Sequence, residues 1–265
     1  MNEFDQLEIE YKNHKVFEEL SDFSEFYRSL SYSIMKFWSP GTKAFLNLDT
    51  YVFSSIGSTL DSIKMVLGNG CINDGYSLLR KYYDATIINV YTNVYLSDHF
   101  SINNFIVERI DNWRKGTEKL PSFRIMSQYI KDSDELKPIT ELLSKDRFYK
   151  EIRERCNDHT HYNYYNNILL NDKTLYLPNR VKALDIFLND LTAVFVQHFA
   201  YIFYLNNHYM VASDYTDSLD LGLKPDEESQ YWVTPFIQVA FDRWIKTNRS
   251  DIAEEIKSRT NMHLE

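Results

Sequence analysis

The chain has 265 residues, 38 acidic against 29 basic side chains, a net charge of −9 and two cysteines, Cys71 and Cys156. That length can bury a large core without staples, and two cysteines cannot build a disulfide framework, which points to a reducing, cytoplasmic compartment. The acidic balance argues against general nucleic-acid coating, because an acidic surface gains little from counterion release.

The N-terminus, Met1 to Gln6, is acidic and lacks the apolar run of a leader. No stretch offers the roughly 20 uninterrupted apolar residues of a membrane span. The nearest, 184–205, is broken by Asn189, Asp190, Gln197 and His198. No membrane contact is therefore expected. Only 7 glycines and 6 prolines occur, so breakers are few and helices should be long.

Residues 4–37 carry apolar groups at helical spacing, closed by Ser39-Pro40-Gly41. A second helix is predicted over about 46–67, stopped by Gly68-Asn69-Gly70. A third starts at Asn73 or Asp74, either of which can cap it, and runs to about Leu96. Shorter helices follow at about 103–115, 122–131 and 134–144, then one over 146–160. Ile168-Leu-Leu170 and Lys173-Thr-Leu-Tyr-Leu177, flanking Asn171-Asp172, read as a small β-hairpin. The longest helix spans about 180–210 and includes His198, read as a satisfied core histidine. A polar, acid-rich connection (213–229) leads to a final helical part over 230–262, broken near Arg249-Ser250-Asp251. Its aromatics Trp232, Phe236, Phe241 and Trp244 read as core or dimer surface.

The fold class is all-α: an antiparallel helical bundle with a small β-hairpin insertion and a C-terminal helical extension. An N-terminal helical segment (1–44), a bundle (45–210) and an acidic connection with C-terminal helices (211–265) form one compact domain.

One run concentrates chemistry: Arg153-Glu-Arg-Cys-Asn-Asp-His-Thr-His161, followed by the tyrosine-rich 162–167. Between Lys145 and Arg155 five basic residues (Lys145, Arg147, Lys150, Arg153, Arg155) stand against three acidic ones, Asp146, Glu151 and Glu154. On a helix, Arg153, Asn157 and His161 fall within an arc of about 80°. Arg155 and His159 pair at i, i+4 on another face. Asp158 stands three residues before His161, where it could orient the imidazole. Cleavage of RNA by its own 2′-hydroxyl needs an acid and a base, for which histidine suits, and fixed donors to the phosphorane, for which arginine suits. No metal or cofactor is needed. The plain alternative is an exposed helix end with ordinary ion pairs. Cys156 beside two arginines is either an activated thiol or a buried, inert one. Cys156, His159, His161 and Asp158 are zinc-ligand types, but the spacing is not that of a zinc finger, and His159 and His161 project to opposite sides of a helix; no metal is assigned. Lys150, Tyr162, Tyr164 and Tyr165 are candidate RNA contacts, the tyrosines by stacking on unpaired bases. No P-loop, dinucleotide fingerprint, nucleophile elbow or zincin motif is present.

An arginine followed by five residues and a histidine, at the end of a helix in an all-α chain, resembles the HEPN superfamily of bacterial conflict systems. Two frames fit: Arg155 to His161 and Arg153 to His159. The first keeps polar Asn157 and Asp158 inside the motif but has Cys156 where the family often has a polar residue. The helix Gly75-Tyr-Ser-Leu-Leu-Arg80-Lys-Tyr-Tyr-Asp84 is similar to a Leu-Arg…Glu helix of HEPN-like families, with aspartate in place of glutamate; Arg80 and Asp84 are also spaced as a helix pair. The resemblance covers about 45–210. It implies a metal-independent endoribonuclease acting as a homodimer in phage defence or a toxin–antitoxin system. Arg155 would bind the phosphate, His161 would act as acid or base, Asn157 and Asp158 would position groups, and Arg153 and His159 would assist or form the true pair. It equally admits a non-catalytic HEPN-like binding or scaffold protein whose acidic surface faces a protein partner, such as an antitoxin or defence component.

Overall fold

The computed structural model describes residues 9–35, 37, 47–171 and 180–265. The described residues are mainly helical, and their only β pairings are the isolated bridges Ser101–Asn104 and Val211–Val233. A short α1 (Ile9–Lys12) leads to α2 (Val16–Ser33), α3 (Leu48–Gly68) and α4 (Ile72–His99). Asn47 starts α3 by accepting the Asp49 N–H at 2.9 Å, which satisfies one of the free amides of the first turn. Gly70, at φ +77°, turns the chain from α3 into α4. At Gly75 a Cβ would stand 2.6 Å from Leu67 Cδ2, so glycine lets the start of α4 close on the end of α3. The α4 start has Cys71 at its cap and no side-chain cap bond, where Asn73 or Asp74 was expected to cap. Asn73 lies inside the helix, and its side chain turns to other partners.

Short helices α5 (Glu108–Arg114), α6 (Phe123–Lys131) and α7 (Lys137–Leu143) precede α8 (Phe148–Thr160), which carries the polar run. The first strand of the expected hairpin, Ile168 to Leu170, is instead inside α9 (Tyr165–Asn171). Tertiary contacts decide this. The Asn73 amide group donates to the Asn167 carbonyl at 2.6 Å, and Asn171 Oδ1 accepts the Asn73 N–H at 3.2 Å, pinning one turn of helix to the start of α4. Residues 172–179, the rest of that hairpin, lie outside the described residues.

The long helix α10 (Arg180–Leu205) packs against α1, α2, α4, α7, α8 and the last helix. By length and composition it could cross a membrane, yet 72% of its apolar window is buried within the fold, as expected of a central core helix. Phe195 stacks on Phe23 of α2 at 4.1 Å. The acid-rich connection is partly helical, α11 (Ser213–Asp220), and buries none of its residues. The C-terminal part consists of α12 (Pro235–Ala240), a π-helical stretch (Phe241–Lys246) and α13 (Ser250–Arg259), broken at Arg249 as expected. It is tied to α2 by buried Glu19, which accepts from Trp244 Nε1 at 2.6 Å and from Arg243 at 3.1 Å.

A file of polar groups threads the core. Tyr82 and Tyr27 share a hydroxyl contact at 2.9 Å, and Tyr27 lies 2.7 Å from His198 Nδ1. His198 Nε2 donates to Asn89 Oδ1 at 2.9 Å, and the Asn89 amide donates to Asp49 at 2.7 Å. Asn93 and Tyr209 also donate to Asp49. His198 is fully buried, and burial lowers its pKa to about 3, so it stays neutral. Burial raises the Asp49 carboxyl to about 6 against the opposing pull of these donors.

Candidate functional site

Helix α8 places its run by a simple stripe. Ile152, Cys156 and His159, spaced at four and three, are its buried residues and face the bundle. The polar residues between them are therefore divided between two shoulders. On one, Arg155 makes two parallel bonds to Asp190 of α10, Nε to Oδ2 at 2.7 Å and Nη2 to Oδ1 at 2.9 Å. Asp190 is 1% exposed, and burial raises its pKa although Arg155 opposes this. On the other shoulder, Arg153 lies over the Phe123 ring, 3.4 Å from its centre, and pairs with Asp84. The expected Arg80–Asp84 helix pair is thus replaced by a contact between α4 and α8.

His159 is buried against Tyr76, ring on ring at 3.9 Å and 8° between planes. Its Nδ1 donates to Asn73 Oδ1 at 2.6 Å. Burial depresses its pKa to about 4, so near neutral pH it is an uncharged packing group. Cys156 is fully buried, and burial pushes its thiol up to about 12, which selects the inert reading.

His161 ends the helix. The Asn163 N–H bonds to the Asp158 carbonyl at 3.0 Å and the Tyr162 N–H to the His159 carbonyl at 3.5 Å, the two crossing bonds of a Schellman cap. Tyr162 holds the left-handed position at φ +50°, where glycine is usual, so the turn carries backbone strain. Asp158 accepts from Asn163 Nδ2 at 2.8 Å and serves this turn rather than orienting His161. The His161 ring is exposed and has no side-chain partner among the described residues. Beside it Tyr162, Tyr164 and Tyr165 are 44, 62 and 72% exposed, with the Tyr162 hydroxyl accepting from Asn171. Asn157 Oδ1 is buried without a partner among the described residues.

Neither arginine–histidine frame is gathered into one constellation within this chain. Six residues apart on a helix, Arg155 and His161 differ by about 120° in direction and about 9 Å along the axis, and Arg153 and His159 do likewise. The structure instead joins Arg155 to Asp190, Arg153 to Asp84 and His159 to Asn73. Asp190 was legible only as an interruption of an apolar helix. A carboxylate in that position was the signal that a cation from another helix must meet it.

The N-terminal half of α8 borders a different feature. Arg147, Tyr149, Lys150 and Arg153 line a cavity of about 320 Å³ shared with α4, α6 and α10. A second cavity of about 480 Å³ runs between α2, α10 and the π-helical stretch, with Arg243 and Glu19 at its wall. No three histidine, cysteine, aspartate or glutamate side chains gather as metal ligands among the described residues. Compared with family profiles, curated proteins and solved structures, the chain matches none.

Proposed function

We propose that this chain is a non-catalytic, HEPN-like helical binding protein in which the polar run of α8 frames the bundle. One observation carries the reading: the arginine that would grip a phosphate is held in two parallel bonds by a buried carboxylate. A guanidinium in that state is committed to the fold, because withdrawing it would strand Asp190 in the core. The other histidine of the run, His159, is neutral and stacked, so it cannot share acid–base work with His161. The partner is a protein with a basic, partly apolar surface. It docks on α11 and the segment after it, where Leu219, Leu221 and Leu223 are 52, 73 and 60% exposed among Asp214, Asp217, Asp220, Asp226, Glu227 and Glu228. An antitoxin or another defence component is such a partner.

The second reading, a metal-free endoribonuclease completed by homodimerisation, draws support from the free His161 ring beside three exposed tyrosines. One assay separates the two. Purified protein and its His161→Ala variant are incubated with a mixed RNA pool in chelator. The binding reading expects both to leave the pool intact. Cleavage by the parent that is lost in a folded His161→Ala protein overturns it and installs the nuclease.

A further inference from the structure

The cavity at the start of α8 is independent of the polar run's C-terminal end and of the reading just given. We propose that it binds a small phosphate monoester carrying a hydrogen-bond donor, of the size of a phosphorylated sugar or polyol.

Its lining holds four cations, Lys131, Arg147, Lys150 and Arg153, against one carboxylate, Asp146. In a chain of net charge −9 this local surplus stands out, and two of the four cations serve no ion pair of the fold among the described residues. Lys131 and Arg147 have no ion-pair partner among the described residues. Lys150 reaches only exposed Glu154 at 3.5 Å, and Arg153 is held by Asp84 over Phe123. Asp146 is occupied in accepting the Phe148 N–H at 2.9 Å. Two unpaired cations at one mouth match the charge of about −2 on a phosphate monoester near neutral pH, and arginine adds the forked geometry that phosphate oxygens accept.

The second observation lies at the other wall. Gln197 of α10 lines the cavity and is 7% exposed; its amide bonds Tyr83, another lining residue, while its Oε1 is buried with no hydrogen-bond partner among the described residues. A buried carbonyl without a donor is costly, and a donor entering the cavity would satisfy it. Tyr149 and Tyr83 line the same cavity. An anion-holding mouth and an acceptor at the wall define a ligand with phosphate at one end and a hydroxyl or amine at the other. The volume of about 320 Å³ is near the small end of ligand sites, which span about 300–1,000 Å³, and it excludes a polynucleotide strand.

The test is calorimetric titration of the full chain with glycerol 3-phosphate, glucose 6-phosphate, AMP, inorganic phosphate and unphosphorylated glucose. At least one ester should bind saturably, more tightly than inorganic phosphate, and glucose should not bind. The surface variant Arg147→Ala/Lys150→Ala, whose residues are exposed, should keep the parent melting temperature and weaken the ester at least about tenfold, one lost charge-assisted contact being worth roughly that factor. Gln197→Met should weaken the ester and leave inorganic phosphate unchanged. The proposal is overturned if no ester binds, if the double variant binds as the parent does, or if inorganic phosphate equals the best ester. RNA cleavage in the separate assay bears on none of these outcomes.

Discussion

Replacing Arg155 by methionine removes the guanidinium and keeps most of the side-chain length. What remains is Asp190, 1% exposed, with Tyr76 beside it as the remaining group that favours its charge. Breaking a buried pair from one side costs about 3–5 kcal/mol, because the survivor is an uncompensated charge. The Arg155 side chain is itself 32% exposed, so water partly replaces it and the lower figure, about 3 kcal/mol, applies. For a chain of this size that is a fall in melting temperature of roughly 6–12 °C. Removing the carboxylate as well, in Arg155→Met/Asp190→Asn, should recover much of the loss. A double-mutant cycle by urea unfolding should thus give a coupling energy of about 2 kcal/mol. The reasoning fails if Arg155→Met loses less than about 1 kcal/mol, or if the two substitutions are additive. Arg155 would then be free for a ligand, and the nuclease reading would regain its phosphate anchor.

Acid should destabilise the fold in a defined way. His159 and His198 have folded pKa values, about 4 and about 3, below the ordinary 6.5, so the unfolded chain takes up their protons first as pH falls, and stability present above pH 6.5 is lost below it. Asp49, raised to about 6, acts oppositely: its contribution is complete below the ordinary 3.8 and disappears as pH rises through 6. His208 is also lowered by burial and Asp190 also raised, so three histidines stand against two carboxylates, a net fall of at most about 1.4 kcal/mol per pH unit between roughly pH 6 and 4. In His159→Gln, which keeps a donor for Asn73 and does not titrate, that slope should nearly vanish; urea melts across this range that show the parent slope in the variant would refute it. In a thiol-labelling experiment on the native chain, Cys71 should react first and Cys156 only on unfolding, since its thiol is buried and pushed up to about 12. Two equal rates in the native state would show that the α8 face opens.

Much of the helical order was legible because apolar spacing is a local signal. Leu48–Gly68, Phe123–Lys131 and the break at Arg249 lie within a few residues of the periodicity and breakers that announce them. Ile168 to Leu170 was misread because a short apolar run has no period of its own; the Asn73 and Asn171 bonds that make it helical join residues about a hundred positions apart. Helix α11 was missed because it buries nothing, so no apolar stripe marks it. In the polar run, spacing fixed which residues share a direction on α8 but not what waits there. That Arg155 meets Asp190 and Arg153 meets Asp84 depends on how α8 packs between α4 and α10.

The polar file from Tyr82 to Asp49 has a direction. With Asn89 accepting from His198 and donating to Asp49, the donor order runs from the tyrosines to the carboxylate. Tolerance to sequence drift should follow that order. Tyr82, the first donor, can become phenylalanine and leave only one lone pair of Tyr27 unfilled. His198 sits mid-file, and its loss strands a hydroxyl proton on one side and an amide oxygen on the other. Descendants of this chain can therefore shorten the file from its tyrosine end one residue at a time, while its middle can change only by paired replacement on α4 and α10.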